Sequence, residues 1–359
     1  HAACHAALRE LGLNFRYFTD RQMRLGEVDL SQFKVVFLPM TQALGPQEAQ
    51  LFRRYVQDGG TLIADVRPAI YDGHVKPLGA GQLDDVFGIK RTGAPEAALA
   101  DGQIGDLSVE KVRADPGVEA AGAQPAGTAG KAPLWLTNSF GKGRTLLLNL
   151  ALATYPKLGV ETTPEQAASL LRTALEQATV KPALDLCDVQ GRRLRNVEVT
   201  RWVNGPVQIV SIFRHGGAAD QATMRLPQPR VVYDLKGRRS LGKQSSFTVT
   251  LTPSRAQFFA LAAEPLKPVA LKAAPAAVRG SVQRVRLATV LPQGRQAVKV
   301  TVKLPNGQSA DWVARVALVD AQGATVDVPV AYNDPAGTWS VSATDLYTGQ
   351  TSNAQFSVK

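Results

Sequence analysis

The chain has 359 residues, of which 45% are hydrophobic and 20% are charged, a composition that excludes a disordered protein and is long enough for two or three domains. No apolar stretch approaches the roughly 20 residues that a membrane-spanning helix needs. The two cysteines, Cys4 and Cys187, are too few and too far apart for a disulfide framework or a metal cluster. We therefore expect a multidomain globular protein with no membrane span and no cofactor.

Three potential metal ligands, His1, Cys4 and His5, lie at the start of the chain. In a helix, positions one and five would share a face and could chelate a metal ion. Chain termini are usually loosely held, however, so a frayed end is the preferred interpretation and no metal site is predicted.

Residues 1–178 alternate between helix-like and strand-like patterns, which predicts a mostly parallel sheet with helices on both faces. A stretch rich in Ala, Gly, Asp and Pro, residues 92–131, is expected to be irregular. Because a doubly wound sheet normally begins with a strand, the helical start predicts that at least one strand precedes His1. The predicted elements, in chain order, are a helix near 3–11, strands at 15–18 and 33–40, a helix at 46–57, a strand at 61–66, a strand within 141–152 and a helix at 163–180.

The glycine pair Gly59–Gly60 lies between a predicted helix and a predicted strand. The glycines of a phosphate-binding loop follow a strand and precede a helix, which is the opposite order. The pair therefore predicts a helix C-terminus in which one of the two glycines has a left-handed backbone conformation.

Two all-β segments follow, at 181–265 and 268–359, each with short alternating strands separated by turn residues. They predict a small β-sandwich domain and an immunoglobulin-like β-sandwich domain, joined by a Pro- and Ala-rich linker at 264–278. Three tryptophans in these segments are interpreted as core residues, with stacking on sugars as the alternative. They are Trp202, Trp312 and Trp339, and Trp202 is the least certain because it shares a strand face with Glu198 and Thr200.

The loop after the strand at 61–66 is the candidate functional site. Ligands of open α/β sheets bind beyond the carboxyl ends of the strands, and with the strand's own Asp65 this loop offers Arg67, Asp72 and His74. A histidine with two acids is suited to proton transfer, so a hydrolytic site is one hypothesis. No serine or cysteine lies on a strand-to-helix turn, so the preferred interpretation is that the chain has no catalytic residue.

The acidic pair Asp84–Asp85 is a poor acid and base pair. A glycosidase needs two carboxylates on either side of a sugar cleft. Adjacent side chains on regular structure point apart, and the surrounding residues predict a short helix that ends at Gly88.

The net charge of +11 is concentrated in 181–265. Solvated basic turns are the preferred interpretation, and binding of an acidic polysaccharide is the alternative. No nucleic-acid-binding motif accompanies these residues, so we expect no nucleic-acid partner. The basic patch comprises Arg192, Arg193, Arg195, Arg238 and Arg239.

Longer stretches resemble a known family. The segment "LRELGLNFRYF…LSQFKVVFLPMTQALGPQEAQLFRRYVQDGGTLIADVRPAIYDGHVKP", with "LDDVFGI" and "SFGKGRTLLLNL", resembles the trimerisation domain of the family 42 β-galactosidases. The resemblance covers 1–178 and implies a flavodoxin-like α/β domain of the class I glutamine-amidotransferase-like type, without that enzyme's nucleophile. It also implies a homo-oligomer, possibly a trimer.

The later segments resemble accessory modules. "VVYDLKGRRSLGKQSSFTVTLTPSRAQFFAL" is similar to the small β-domain that follows in such glycosidases, and "YNDPAGTWSVSATDLYTGQTSNAQFSV" is similar to immunoglobulin-like or macroglobulin-like modules of secreted bacterial proteins. In the family, a barrel with two catalytic glutamates precedes the trimerisation domain. No part of this chain matches that barrel, so no catalytic residue is carried over.

The resemblance implies an oligomerisation and accessory region of a β-galactosidase-like glycoside hydrolase. Carbohydrate would then be reached through the parent enzyme, outside the cell or in a bacterial periplasm. The alternative is an extracellular carbohydrate- or surface-binding protein with no enzymatic activity.

Overall fold

The computed structural model describes residues 4–359 apart from 6, 7, 10, 93–98, 153–163, 183, 193, 195, 196, 290 and 292. The chain divides into two compact units, residues 1–182 and 183–359. The protein is multidomain and mostly β, with several separate sheets. Among the described residues, no helix is long and apolar enough to cross a membrane.

The first unit contains both helices and strands. Its helices are α1 (Asp20–Arg24), α2 (Pro46–Gln57), α3 (Asp84–Phe87) and α4 (Pro164–Gln177). Its strands are β1 (Val35–Leu38), β2 (Thr61–Ala64), β3 (Ile89–Arg91), β4 (Leu99–Ile104), β5 (Leu107–Arg113), β6 (Val118–Ala120), β7 (Gln124–Ala129), β8 (Ala132–Phe140) and β9 (Gly143–Leu148). The predicted helix at 46–57 is therefore confirmed to the residue.

Seven of these strands form one mixed sheet in the order β1-β2-β9-β8-β7-β4-β5. Only β1, β2 and β9 are parallel, and the other pairings are antiparallel. The prediction of a mostly parallel sheet was wrong for this reason. Residues 15–18, predicted as a strand, are not part of one.

The stretch at 92–131 was predicted to be irregular, and this was wrong for residues 99–129, which contain β4 to β7. These strands have few apolar residues because much of their surface faces solvent. Gly102 interrupts the strand-like alternation of β4. Packing requires a glycine at this position, because a Cβ would lie 2.6 Å from Leu134 Cδ1 and 2.8 Å from Thr128 O.

Both faces of the parallel strands are covered, because alternate residues of each strand enter different cores. In β9, Leu146 and Leu148 pack in the cluster that contains the apolar face of α4, whereas Leu147 packs with residues of α2 and α3. The predicted arrangement of helices on both faces is therefore confirmed for this half of the sheet.

The joint between α2 and β2 uses each glycine differently. Gly59 has φ +115°, and its N–H donates to Val56 O, so it is the left-handed residue of the pair. Gly60 has an ordinary φ but lies under the ring of Tyr55, since a Cβ there would be 2.3 Å from Tyr55 Cε2. The Tyr55 hydroxyl lies 3.1 Å from Phe33 O and 3.2 Å from Thr61 O, which holds the ring in place.

The second unit is all-β. One continuous sheet contains β10 (Asp185–Cys187), β11 (Val197–Asn204), β12 (Val207–Arg214), β13 (Asp220–Asp234), β14 (Arg239–Leu251) and β15 (Ala256–Ala262). A three-stranded and a five-stranded sheet then contain β16 (Ala270–Ala273), β17 (Ala276–Ala277), β18 (Val282–Ala288), β19 (Gln296–Lys303), β20 (Arg315–Val319), β21 (Ala324–Pro329), β22 (Gly337–Asp345) and β23 (Thr351–Val358). The predicted linker at 264–278 was partly wrong, because β16 and β17 lie within it.

Of the three tryptophans predicted to be core residues, one is buried and two are exposed. Trp339 is fully buried beside Phe356 in the core of the last module, as predicted. Trp202 and Trp312 were predicted to be core residues and are 48% and 55% exposed. Trp202 lies on the edge strand β11, which has a neighbouring strand on one side only, and Trp312 lies in a turn outside the strands.

Within the second unit, the six-stranded sheet and the last module are in direct contact. The Asn204 side chain donates to Arg295 O at 2.6 Å and to the Tyr347 hydroxyl at 2.6 Å, and it accepts from Arg295 N at 2.9 Å. A Cβ at the neighbouring Gly205 would lie 1.1 Å from Gln293 O, so only glycine permits this approach.

Gly60→Ala is expected to destabilise the first unit by about 1–3 kcal/mol, because the new methyl group displaces the Tyr55 ring from its two carbonyl partners. The measurement is the denaturant midpoint of the full chain. Gly79→Ala is the matched control, since a Cβ at Gly79 meets nothing within 4 Å. Equal midpoints for the two variants would contradict the packing role of Gly60.

Candidate functional site

The candidate site lies at the carboxyl ends of β1 and β2, where the loops that follow the two strands are joined by backbone hydrogen bonds. Ala69 N donates to Thr41 O and Tyr71 N to Gln42 O, both at 2.9 Å. Three residues without the freedom of glycine have left-handed backbones here: Met40 (φ 49°), Arg67 (φ 56°) and Ala69. Such strain persists only where the surrounding structure enforces it, so the loops have one defined conformation.

Asp65 is the buried acid of this site and is only 1% exposed. Its Oδ1 accepts from Met40 N at 2.5 Å, and its Oδ2 has no hydrogen-bond partner in the described part of the chain. Burial raises the pKa of Asp65 to about 7, because the charged form is poorly solvated there. The side chain is therefore able to gain or lose a proton near neutral pH.

Cys4 lies close enough to Asp65 for the charge of the carboxylate to affect the thiol. Burial, with a further contribution from Asp65, raises the pKa of the Cys4 thiol to about 11. A thiol with this pKa remains protonated at neutral pH and is a poor nucleophile. Cys4 was predicted to lie in a frayed terminus, but its side chain is buried in the core.

Arg67 belongs to a buried ion-pair network. Its Nε donates to Asp115 Oδ2 at 3.1 Å, and Arg91 Nη1 donates to the same oxygen at 2.9 Å. Arg91 Nε in turn donates to Asp84 Oδ1 at 3.0 Å. The network connects the loop after β2 with α3, β3 and the connection between β5 and β6.

Asp72 and His74 lie farther along the loop. The Asp72 carboxylate accepts from Lys76 N at 2.8 Å and His74 N at 2.9 Å, and these backbone donors lower the pKa of Asp72. Residues 73–80 are solvent-exposed, so the His74 ring and the buried Asp65 are in different environments. The four candidates thus divide into a buried acid, an ion-paired arginine and an exposed turn.

The acidic pair Asp84–Asp85 points apart, as predicted. Asp84 accepts from Arg91 and from Gly81 N, whereas Asp85 accepts from Arg53, with Nη2 at 2.8 Å from Oδ1. The helix that carries them ends at Gly88 in the left-handed conformation, which confirms that boundary. Neither carboxylate faces the other across a cleft.

The basic patch is partly compensated by neighbouring acids. Arg192 Nε donates to Asp188 Oδ2 at 2.8 Å, and Arg239 Nε lies 3.6 Å from Asp234 Oδ2. Arg238 is exposed, and Arg193 and Arg195 lie outside the described residues. These pairings reduce the positive charge that the patch presents, and its binding role stays a prediction.

No group of three or more His, Cys, Asp or Glu side chains in the described ranges is arranged to hold a metal ion. His1 lies outside those ranges, and His5 Nδ1 is 3.0 Å from the Tyr17 hydroxyl.

Comparison with known proteins identifies neighbours in fold only. No sequence family and no characterised protein matches the chain by sequence. The GH42 β-galactosidase Gan42B of G. stearothermophilus superposes with a TM-score of 0.56 at 15% identity, over 72% of this chain and 35% of that enzyme. The β-galactosidase of Bacillus circulans sp. alkalophilus gives 0.56 at 19% identity, over 72% and 37%.

A β-galactosidase of a Rahnella species gives a TM-score of 0.52 at 17% identity, over 72% of this chain and 36% of that one. At these identities the similarity is one of fold. The chain spans little more than a third of the length of these enzymes.

Arg91→Met is expected to destabilise the first unit by about 3 kcal/mol or more, because it leaves the buried Asp84 without its ion-pair partner and Asp115 with one arginine fewer. Lys90→Met is the matched control: Lys90 and its partner Glu119 are both solvent-exposed, so its loss is expected to be much smaller than that of Arg91→Met. The free energy of unfolding in urea measures both. A similar small loss for the two variants would show that the network is not a stabilising one.

Asp65→Asn is expected to stabilise the first unit above neutral pH. The raised pKa of Asp65 in the folded protein means that its contribution to stability is fully present below about pH 4 and is lost as pH rises through about 7. The neutral amide suffers no such loss. The gain should therefore grow from near zero at about pH 4 to on the order of 4 kcal/mol at about pH 8, with most of it reached by about pH 7.

Unfolding midpoints across this pH range measure the gain. Asp72→Asn is the control with the opposite sign, since the lowered pKa of Asp72 means that its charged form is the stabilising one. A constant difference between Asp65→Asn and the parent chain at every pH would contradict a buried, titrating Asp65.

Proposed function

We propose that this chain is the oligomerisation and accessory region of a glycoside hydrolase of the family 42 β-galactosidase type, and that it is not catalytic by itself. The observation that carries the proposal is the shared fold, which extends over 72% of this chain but only 35–37% of the β-galactosidases of G. stearothermophilus and Bacillus circulans. The remainder of such an enzyme, including a catalytic barrel, would belong to the parent protein.

The first unit is assigned to the flavodoxin-like, amidotransferase-like class and to the trimerisation role. The β1-α2-β2 connection with parallel strands and helices on both faces supports this assignment. The chemistry of the candidate site supports a non-catalytic role, because Arg67 is in an ion pair and the Cys4 thiol is held protonated.

The loop at 72–78 is the contact surface that we propose for assembly of the first unit. Val75 is 65% exposed although it is apolar, and its φ of 63° is an unfavourable conformation for a β-branched residue. The Asp72 side chain fixes the turn on both sides of Val75 by accepting from His74 N and Lys76 N. Strained backbone conformations cluster at functional sites, and this strained turn supports the choice of the loop as the contact surface.

A second candidate function is saccharide or surface binding by an extracellular protein without enzymatic activity. Two exposed aromatic side chains of the last β-module favour it, Trp312 and Tyr332. In either case we propose an extracellular or periplasmic location.

The full chain is expected to form a homo-oligomer, a trimer under the proposed role, in sedimentation equilibrium at micromolar concentration. Val75→Asn removes the apolar side chain, and asparagine tolerates the left-handed backbone, so this variant should dissociate at least about tenfold more readily. Val316→Asn, at an exposed valine of β20 in the second unit, is the matched control and should leave the association unchanged.

A monomeric parent chain would contradict the oligomerisation role. Equal dissociation of Val75→Asn and Val316→Asn would move the interface away from the 72–78 loop. Glycosidase turnover by the purified chain that a single carboxylate substitution abolishes would overturn the non-catalytic assignment.

A further inference from the structure

Two exposed aromatic side chains line one groove in the last β-module. Trp312 is 55% exposed and Tyr332 is 82% exposed, and the groove between them has a volume of about 640 Å³. Ser281, Asn333 and Asp334 also line it. An exposed apolar surface that lines a concave site is more often a ligand-binding groove than a surface without function.

Trp312 is held outward by a turn that is anchored on both sides. Ala310 and Val313 are buried in the core of the module, so the residues around Trp312 are fixed. Ala310 N donates to Val302 O at 2.9 Å, and Val313 N donates to Ala310 O at 3.0 Å. The indole therefore projects from a rigid backbone.

Tyr332 rests on a glycine. A Cβ at Gly280 would lie 2.4 Å from Tyr332 Cζ, so the ring covers the place that a side chain would occupy. Gly280 has φ +81°, and its N–H donates to Val330 O at 2.7 Å. The ring thus has a defined position although most of it is exposed.

The loop that carries Tyr332 is also fixed at its far end. The buried Trp339 donates from Nε1 to Pro335 O at 3.1 Å. Within the loop, Asp334 Oδ2 accepts from Ala331 N at 2.7 Å. The backbone that carries the two aromatic rings is therefore preorganised, which lowers the entropy that binding would cost.

We propose that this groove binds a neutral saccharide chain. The C–H faces of a pyranose ring are apolar and fit an aromatic surface, and its hydroxyl groups hydrogen bond to side chains such as Asn333, Asp334 and Ser281. Among the described residues that line the groove there is no lysine or arginine, and Asp334 is an acid, so the groove favours a neutral sugar over an acidic one. The inference concerns the second unit and does not depend on the oligomerisation role.

Binding of soluble galactan, glucan and mannan by the full chain tests the proposal, by affinity electrophoresis and then by calorimetry with the oligosaccharides of the polymer that binds. Trp312→Ala and Tyr332→Ala should each weaken binding about tenfold or more. Tyr332→Phe keeps the ring and should retain most of the affinity. Trp202→Ala is the matched control, an exposed tryptophan in the other module that should leave binding unchanged.

Four results would overturn the proposal. They are the absence of binding to all three polymers, an equal loss with Trp202→Ala, binding restricted to a polyanion such as heparin and abolished by salt, and a changed oligomeric state of Trp312→Ala without effect on saccharide binding. The third would assign recognition to the basic patch, and the fourth would make the groove an interface between copies of the chain.

Discussion

Asp115 holds together the part of the first unit that surrounds the candidate site. Two arginines from different segments, Arg67 after β2 and Arg91 in β3, donate to one of its oxygens, and Gly117 N donates to the other. A carboxylate buried in this way would cost several kcal/mol without such partners. The loop after β2 is therefore tied to the antiparallel half of the sheet, and its conformation depends on charges that must all be present.

This constraint bears on what the site can do. In an open α/β sheet the carboxyl ends of the strands are where ligands usually bind. Here that edge contains an arginine engaged with Asp115, a carboxyl group, Asp65, with a pKa near neutrality, and a protonated thiol, Cys4. With Arg67 ion-paired and the Cys4 thiol protonated, Asp65 is the group of these three that can gain or lose a proton near neutral pH.

The sequence was informative where periodicity and local caps determine structure. Helix α2, the end of α3 at Gly88 and the burial of Trp339 were predicted because each follows from a repeating apolar pattern or from one residue with a special backbone conformation. Strands β4 to β7 were missed because they are solvent-facing and interrupted by glycine. Tertiary packing, which leaves no trace in local spacing, made Gly102 compatible with a strand.

The location of the candidate site could be predicted from the sequence, but the environment of its side chains could not. Asp65 follows β2, and its location was clear from the pattern, but its burial depends on packing that residue order does not encode. The exposure of Trp202 and Trp312 was missed for a related reason: alternation predicts which residues share a face, but it cannot tell whether another element covers that face.

The contact at Asn204 and Gly205 joins the two modules of the second unit directly, so they are not independent domains connected only by a linker. The Asn204 side chain makes three hydrogen bonds to the last module, two donated and one accepted. At Gly205 the backbone approaches that module so closely that only glycine fits, and together these contacts fix the six-stranded sheet against it. A substitution at this contact is therefore expected to change the stability of both modules. The two modules of the second unit are thus joined by packing as well as by the covalent chain.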